Sequence, residues 1–182
     1  MRQYGQLTAP NAAVTALVFR AGTLLCALPL GEVIETMRPL ETRPLAGTAA
    51  FVRGISVLRG VPTPVIDVAR LLTGAAAESG ANAESGANAG SGAGGRLGGT
   101  GRIERYVAVG TEHGPVALAT GTVPGIRDTE AGPAEAHPAL LGGSHRLVAG
   151  VGTFGAEPLL LLQSMRAVPD EVWEAAAAAD AR

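Results

Sequence analysis

The stretch "FVRGISVLRGVPTPVIDVARLL" (residues 51–72) carries the strongest local fold signals in the chain. Two apolar runs, "GISVL" and "TPVIDV", have the length of short strands and are bounded by glycine, proline or charged residues. A glycine directly follows Arg53 and Arg59, which permits a tight turn or bulge that presents each arginine outward. Pro62 and Pro64 limit backbone pairing, which is typical of an edge strand. The stretch therefore predicts two short strands at a sheet edge.

A similar stretch, "LVAGVGTFGAEPLLLLQSMRA", begins at residue 147, at an offset of 96. The preceding stretch "TALVFRAGTLLCALPLGEVIETMRP" (residues 15–39) is likewise repeated as "RYVAVGTEHGPVALATGTVPGIRDT" (residues 105–129), at an offset of 90. The matched positions are Gly54 with Gly150, Pro62 with Pro158, Asp67 with Gln163, Leu28 with Leu118, and Val33 with Val123. A period of about 90 residues indicates two similar β modules rather than a short-period solenoid.

These modules predict an all-β protein of two small β-barrels whose edges close on each other. The stretch 74–101 separates them, rich in glycine, alanine and serine, with "AESGAN" twice in tandem. A phosphate-binding glycine loop is excluded, because the chain contains no lysine and the flanking patterns do not fit. We therefore expect a first barrel at 14–74, a disordered linker or surface loop at 75–101, and a second barrel at 102–182. A short C-terminal helix is expected at the end of the second barrel, in "DEVWEAAAAADA".

Composition limits the kinds of partner and location. The net charge is −2, and the arginines are scattered singly, which argues against nucleic-acid binding. No apolar stretch reaches the 18 residues of a membrane span, and the N-terminus lacks the apolar core of a signal peptide. We therefore expect a cytoplasmic protein without direct membrane insertion. The single cysteine, Cys26, is expected in the core.

The sequence contains no arrangement of residues that calls for catalysis. His113, His137 and His145 lie in loop-like stretches without further ligands at metal-binding spacing. No nucleophile elbow is present, and Glu32 and Glu35 point to opposite sides of an extended segment. We therefore expect neither an enzyme nor a bound metal or cofactor.

Arg59 is the remaining candidate for a functional residue. It is flanked by Leu58 and Gly60 and stands close to two prolines. One interpretation is structural: Arg59 pairs with Asp67, the nearest acid in sequence, and fixes the turn. The other is functional: Arg59 is presented to a protein partner, where a guanidinium makes planar contacts through several donors.

The pattern L-R-G-x-x-x-P-x-x-D, here "LRGVPTPVID", resembles that of the chemotaxis coupling protein family CheW. The resemblance covers roughly residues 14–74 and 102–170, and it includes the apolar strand that ends in "ALP" and the "FVRGIS" strand. It implies two SH3-like five-stranded barrels around a shared core, without catalytic activity. It also implies an adaptor that bridges a CheA-type histidine kinase to the cytoplasmic tip of chemoreceptors, with the tip in a groove between the barrels.

The resemblance also implies where partners bind. Arg59 matches the arginine tied to receptor coupling, and Val33 and Glu35 match positions near the receptor-binding region. Gly54 matches the glycine before the L-R-G strand, and the same motif adds Gly60 and Asp67 to the expected partner-binding residues. Two departures concern partner identity: Val57 replaces the family's asparagine, and Gly121 replaces a frequent aspartate.

Two other functions stay open on the sequence. One is a β-barrel sensor of a small ligand, which needs a pocket with converging polar groups. The other is the same adaptor in a pathway of motility or development rather than chemotaxis.

Overall fold

The computed structural model describes residues 12–73, 101–133 and 147–163. The expected C-terminal helix lies outside the described residues, as does the glycine-rich stretch up to residue 100. Within them, one short helix, α1, spans Val68–Thr73, and a 3-10 turn spans Leu30–Glu32. No helix in these ranges is long and apolar enough to cross a membrane.

Ten strands make up most of the described chain. Most are short apolar runs bounded by a glycine turn, a proline or a charged residue, as the local sequence predicts, whereas the strand at Gly125–Pro133 is mostly polar. In chain order they are β1 (Ala12–Ala21), β2 (Leu24–Pro29), β3 (Val33–Met37), β4 (Val52–Leu58), β5 (Val61–Asp67), β6 (Arg105–Thr111), β7 (Gly114–Thr120), β8 (Gly125–Pro133), β9 (Val148–Phe154) and β10 (Glu157–Leu162).

The strands form two five-stranded sheets. The first sheet has the order β1-β2-β10-β9-β8 and closes into a barrel, because β8 also pairs with β1. The second sheet has the order β3-β6-β7-β5-β4, and its edge strands are β3 and β4. The loop after β3 pairs with β4 through a single antiparallel bridge between Arg43 and Ile55. The predicted mostly β fold with two five-stranded sheets is confirmed, and continuous strand pairing closes only the first sheet.

The expected division into barrels of residues 14–74 and 102–182 does not match the sheets. The hairpin β1–β2 belongs to the sheet that contains β8, β9 and β10, whereas β6–β7 joins β3, β4 and β5. Two parallel pairings, β2 with β10 and β5 with β7, connect the halves. An isolated hairpin is barely stable in water, and here three strands of the other half complete its sheet. The stretch between residues 74 and 101 therefore separates the sequence repeats but not the two sheets.

Strand register shows that the repeat is structural. Pairings in the first half recur in the second half at the two offsets found in the sequence. Matched pairs are Ala16↔Pro29 with Tyr106↔Ala119, and Gly54↔Val65 with Gly150↔Leu161. Each residue can therefore be compared with the residue at the equivalent position of the other half.

A shared core joins the two sheets, and its largest fully buried side chains include Phe19, Leu28 and Ile66. Full burial of such a side chain stabilises the fold by about 1.5–3 kcal/mol. Smaller apolar clusters fill each sheet's own interior. Cys26 belongs to the shared core, as predicted, and burial raises the pKa of its thiol to about 12.

Candidate functional site

Arg59 lies in the turn between β4 and β5, with an unusual backbone conformation. Leu58 pairs with Val61, so the loop consists of Arg59 and Gly60 alone. Their φ angles are +50° and +85°, and positive φ at both loop positions is typical of a type I′ turn. Arg59 is the one non-glycine residue with positive φ in the described ranges. This conformation costs a residue with a Cβ about 1–2 kcal/mol, so glycine is the residue that the backbone favours.

The other half of the chain follows that preference. The residue equivalent to Arg59 in the β9–β10 turn is Gly155, whose φ is +63°. The same turn position thus holds glycine in one half and arginine in the other. Arginine therefore stands at a turn position whose positive φ favours glycine.

The Arg59 side chain binds Glu35 on the opposite edge strand. Its Nε and Nη2 donate hydrogen bonds of 2.7 Å each to the two carboxylate oxygens. These hydrogen bonds, together with the positive charge, lower the pKa of Glu35. The residue equivalent to Glu35 is Gly125, so the first sheet has no such ion pair at this place. The pair therefore connects β3 to the β4–β5 turn, at the end of the sheet that strand pairing leaves open.

The Arg59 guanidinium is still available to a partner. Its side chain is 80% exposed, whereas that of Glu35 is 26% exposed. A guanidinium has five N–H donors, of which Glu35 accepts two. The remaining donors can reach a partner's carboxylate or carbonyl groups without displacing Glu35.

The hypothetical pair between Arg59 and Asp67 is wrong. The Asp67 side chain is 3% exposed and faces Arg53 and Arg70, at 3.4 and 3.7 Å. Its Oδ1 also accepts a hydrogen bond of 3.2 Å from the backbone N–H of Arg70, which caps the start of α1. These contacts give Asp67 a structural role, because a buried carboxylate does not present itself to a partner.

The other expected binding residues differ in their surroundings. Gly60 lies in the turn beside Arg59, whereas Val33 is partly buried against the shared core. Gly54 is buried in β4 with a φ of +138°, and a Cβ there would overlap the carbonyl oxygen of Arg43. The structure thus brings Arg59, Gly60 and Glu35 together, whereas Gly54 lies nearer the other end of β4, against Arg43.

A groove lies beside this turn, and the sequence did not predict it. Its volume is about 620 Å³, and β4, β5 and the loop after β3 form its walls. The strand alternation in "VRGISVL" places Val57 on the outer face together with Arg53. This exposed valine is the sequence feature that could have indicated the groove. The lining residues are Leu40, Glu41, Arg43, Leu45, Ile55, Ser56, Val57 and Pro62.

The described residues contain no group of three or more histidine, cysteine, aspartate or glutamate side chains that could hold a metal ion. His113 lies in the turn between β6 and β7, whereas His137 and His145 lie outside the described ranges. The site at the second sheet therefore consists of an ion pair, a tight turn and an apolar groove. Such a combination suits contact with another macromolecule.

Comparisons with known proteins concern the fold and the family of the chain. The scaffolding protein TtCheW from Thermoanaerobacter tengcongensis has a similar structure, with a TM-score of 0.63 and 18% sequence identity. The match covers 86% of this chain and 92% of that one. A search of curated proteins finds no match. Residues 15–171 match the CheW-like domain, so the chain belongs to the CheW-like domain family and is a scaffolding adaptor domain rather than an enzyme.

Proposed function

We propose that this chain couples the cytoplasmic tip of a chemoreceptor to a CheA-type histidine kinase, as a scaffold in the cytoplasm. The observation that carries the proposal is Arg59. It occupies a left-handed backbone position that Gly155 fills in the other half, and it holds Glu35 while most of its side chain stays exposed. The family resemblance supports a receptor as the partner of this face, and in this proposal the kinase binds another face.

Scaffolding requires no chemistry at the site. Each interface can be weak, at roughly 1,200 Å² of total buried surface. When receptor and kinase are both held in an assembly, the second contact forms at high effective concentration, and the overall binding becomes much tighter. Arg59 contributes orientation, because its planar fork fits a carboxylate or a set of carbonyl groups in few ways. Glu35 holds the fork in place before the partner arrives.

The test compares Arg59→Gly with the unaltered chain. Glycine relieves the backbone strain, and this offsets its greater flexibility in the unfolded chain, so we expect stability to change by less than about 1 kcal/mol. Affinity for a soluble receptor-tip fragment should fall by about 10- to 150-fold, as expected for the loss of a charged contact. Affinity for the kinase should stay the same. Arg59→Lys should restore receptor binding only in part, because a point charge replaces the fork.

The matched control is Arg20→Ala. Arg20 is also a surface arginine in an ion pair, with Glu157 at 2.6 Å in the first sheet. We expect this variant to bind both partners normally. If Arg59→Gly keeps full receptor affinity, or loses both affinities together with stability, the proposal fails.

A small-ligand sensor is the second candidate, because the groove volume lies in the range of ligand sites. A thermal-shift screen of small ligands tests it. A hit whose effect disappears on Leu45→Glu would favour the sensor, whereas receptor binding without any hit favours the adaptor. A CheA-like kinase gene or a receptor gene beside this one would distinguish chemotaxis from another adaptor pathway.

A further inference from the structure

Two partly exposed arginines flank the buried carboxylate of Asp67, at the end of the β4–β5 hairpin opposite the Arg59 turn. Arg53 is the second residue of β4, and Arg70 lies in α1, which begins directly after β5. Their side chains are 38% and 42% exposed, whereas that of Asp67 is 3% exposed. The proposed receptor contact at Arg59 does not involve these three side chains.

The two arginines share one oxygen atom of Asp67. Oδ2 lies 3.4 Å from Nη1 of Arg53 and 3.7 Å from Nε of Arg70, whereas Oδ1 accepts the hydrogen bond that caps α1. A close ion pair between a guanidinium and a carboxylate has a distance of about 2.7–2.9 Å. The pair of Arg59 with Glu35 has such a distance, 2.7 Å. Neither arginine beside Asp67 therefore makes a close ion pair with it.

The charges of this cluster are not balanced. Two guanidinium groups face one carboxylate, so the three side chains together have a net charge of +1. Each guanidinium has five N–H donors. Besides its contacts with Asp67, Arg70 donates from Nη1 to the carbonyl oxygen of Ala50, at 3.3 Å. The cluster thus combines an excess positive charge with unused donors on two partly exposed side chains, and one further carboxylate would balance the charge.

The sequence repeat shows that the hairpin forms without these charges. Arg53 is the extra residue of a β-bulge in β4, and Ala149 holds the same place in β9. Asp67 corresponds to Gln163, and the backbone N–H of each donates a hydrogen bond across its hairpin, at 2.7 and 3.0 Å. The same bulge and hydrogen bond thus form with alanine and glutamine at these places.

The cluster lies far from the receptor contact. Arg53 precedes Arg59 by six positions, which is about 20 Å along an extended strand. One acidic side chain cannot reach both arginines, so the two ends of the hairpin accept different groups. An adaptor that holds two partners at once needs separate contacts of this kind.

We infer that Arg53 and Arg70 form a second partner-binding site, which accepts an acidic side chain of the protein that does not bind at Arg59. The inference rests on the proposed adaptor function, in which that protein is the kinase. The carboxylate completes the charge balance of the cluster and accepts hydrogen bonds from donors that Asp67 leaves unused. A phosphate group matches less well, because its charge of about −1.5 to −2 at neutral pH exceeds the excess positive charge.

The experiment measures the affinity of the full chain for the soluble kinase and for the receptor-tip fragment. Arg53→Ala installs the residue of the equivalent position, so the bulge should tolerate it, and Arg70→Gln keeps a good helix former in α1. Each variant should weaken kinase binding by about tenfold and leave receptor binding unchanged. Added salt should weaken kinase binding less in these variants than in the unaltered chain, because a charged contact is missing.

The matched control is Arg20→Gln. The Arg20 side chain is 36% exposed and pairs with Glu157 in the first sheet, so its charge and exposure are close to those of the two arginines. This variant should change neither affinity. Urea unfolding of every variant separates binding from folding, because a merely structural cluster would lose stability while the folded protein kept its kinase affinity and its salt dependence.

Kinase affinity that stays the same in Arg53→Ala and in Arg70→Gln would overturn the inference, and so would an equal loss in Arg20→Gln. Either result leaves the adaptor function standing, provided that the unaltered chain binds both partners. An unaltered chain that binds neither partner contradicts the proposed function, and the inference fails with it.

Discussion

The Cα of Gly54 lies against the backbone of Arg43, so closely that a Cβ on Gly54 would overlap the Arg43 carbonyl oxygen. This contact holds the loop after β3 against β4. The loop and β4 are two of the walls of the groove. Gly150 repeats it in the first sheet, where a Cβ would lie 2.6 Å from the carbonyl oxygen of Gly132. In both sheets, therefore, a strand has a glycine where a neighbouring backbone segment packs closely against it.

Gly54→Ala should destabilise the protein by at least about 2 kcal/mol, because both the steric overlap and the φ of +138° oppose a side chain. Urea unfolding measures this loss. Gly31→Ala is the control, since a Cβ at Gly31 meets nothing within 4 Å, and its effect should stay within about 0.5 kcal/mol. Equal stability of the two variants would contradict the contact.

Cys26 should react with thiol reagents only when the protein unfolds. Burial raises the pKa of its thiol from 9.0 to about 12, so almost no thiolate exists at pH 8. We expect labelling by an aromatic disulfide reagent to be at least about a hundredfold slower in the native protein than in urea. The stability that the neutral thiol contributes is complete below pH 9.0 and is lost as the pH rises toward 12. Rapid labelling of the native protein would show that Cys26 is accessible.

Local patterns in the sequence predicted most of the strands and the repeat. They were wrong on β5, whose two prolines predicted an edge strand, because β5 lies inside its sheet between β4 and β7. The glycine and proline positions of residues 51–72 fix the β4–β5 turn, and register reproduces both repeat offsets. The exchange of hairpins between the sheets was not predictable in this way, because it depends on the parallel pairings β2 with β10 and β5 with β7. Such pairings join residues far apart in sequence, and apolar runs that are buried on both faces carry no mark of their neighbour.

At the site, too, local features were predictable from the sequence and contacts between distant residues were not. Arg59 stood out in the sequence because a charged residue lies among apolar ones and glycines. Its partner did not, because proximity in sequence favoured Asp67, whereas the edge strand brings Glu35 to it from 24 residues away. The groove depends on the loop between residues 38 and 51, which has no strand or helix pattern of its own. Its position follows from the single bridge at Arg43 rather than from periodicity.

Asp67 should contribute to stability and not to partner binding. Asp67→Ala removes the cap of α1 and the acceptor for two arginines, and should cost about 1–2 kcal/mol in urea unfolding. Asp67→Asn should cost less, because its amide oxygen can still accept the hydrogen bond from the backbone N–H of Arg70. Both folded variants should bind the receptor-tip fragment with unchanged affinity.

The control for Asp67 is Asp128→Asn, at an exposed hydrogen bond with Thr15 in the first sheet. Its effect on stability should stay within about 0.5 kcal/mol. If Asp67→Asn is as damaging as Asp67→Ala, the ion pairs rather than the cap provide the stability. Reduced receptor affinity in a stable Asp67 variant would instead return this residue to the binding site.

The ion pair of Glu35 and Arg59 should be visible in a pH titration. Hydrogen bonds from Arg59 and its charge lower the pKa of Glu35 from the ordinary value of 4.5. A lowered carboxyl pKa means that the pair contributes above pH 4.5 and is lost as the pH falls through the folded-state value. NMR detection of the side-chain carboxyl carbon of Glu35 should therefore show a midpoint below 4.5. In Arg59→Gly the midpoint should return toward 4.5, and added salt should raise it in the unaltered chain because the pair is exposed. Arg20→Ala, which removes an arginine from the first sheet, should leave the Glu35 midpoint unchanged. A midpoint that is the same with and without Arg59 would mean that the two side chains do not bind each other in solution, and that Arg59 meets its partner without a fixed orientation.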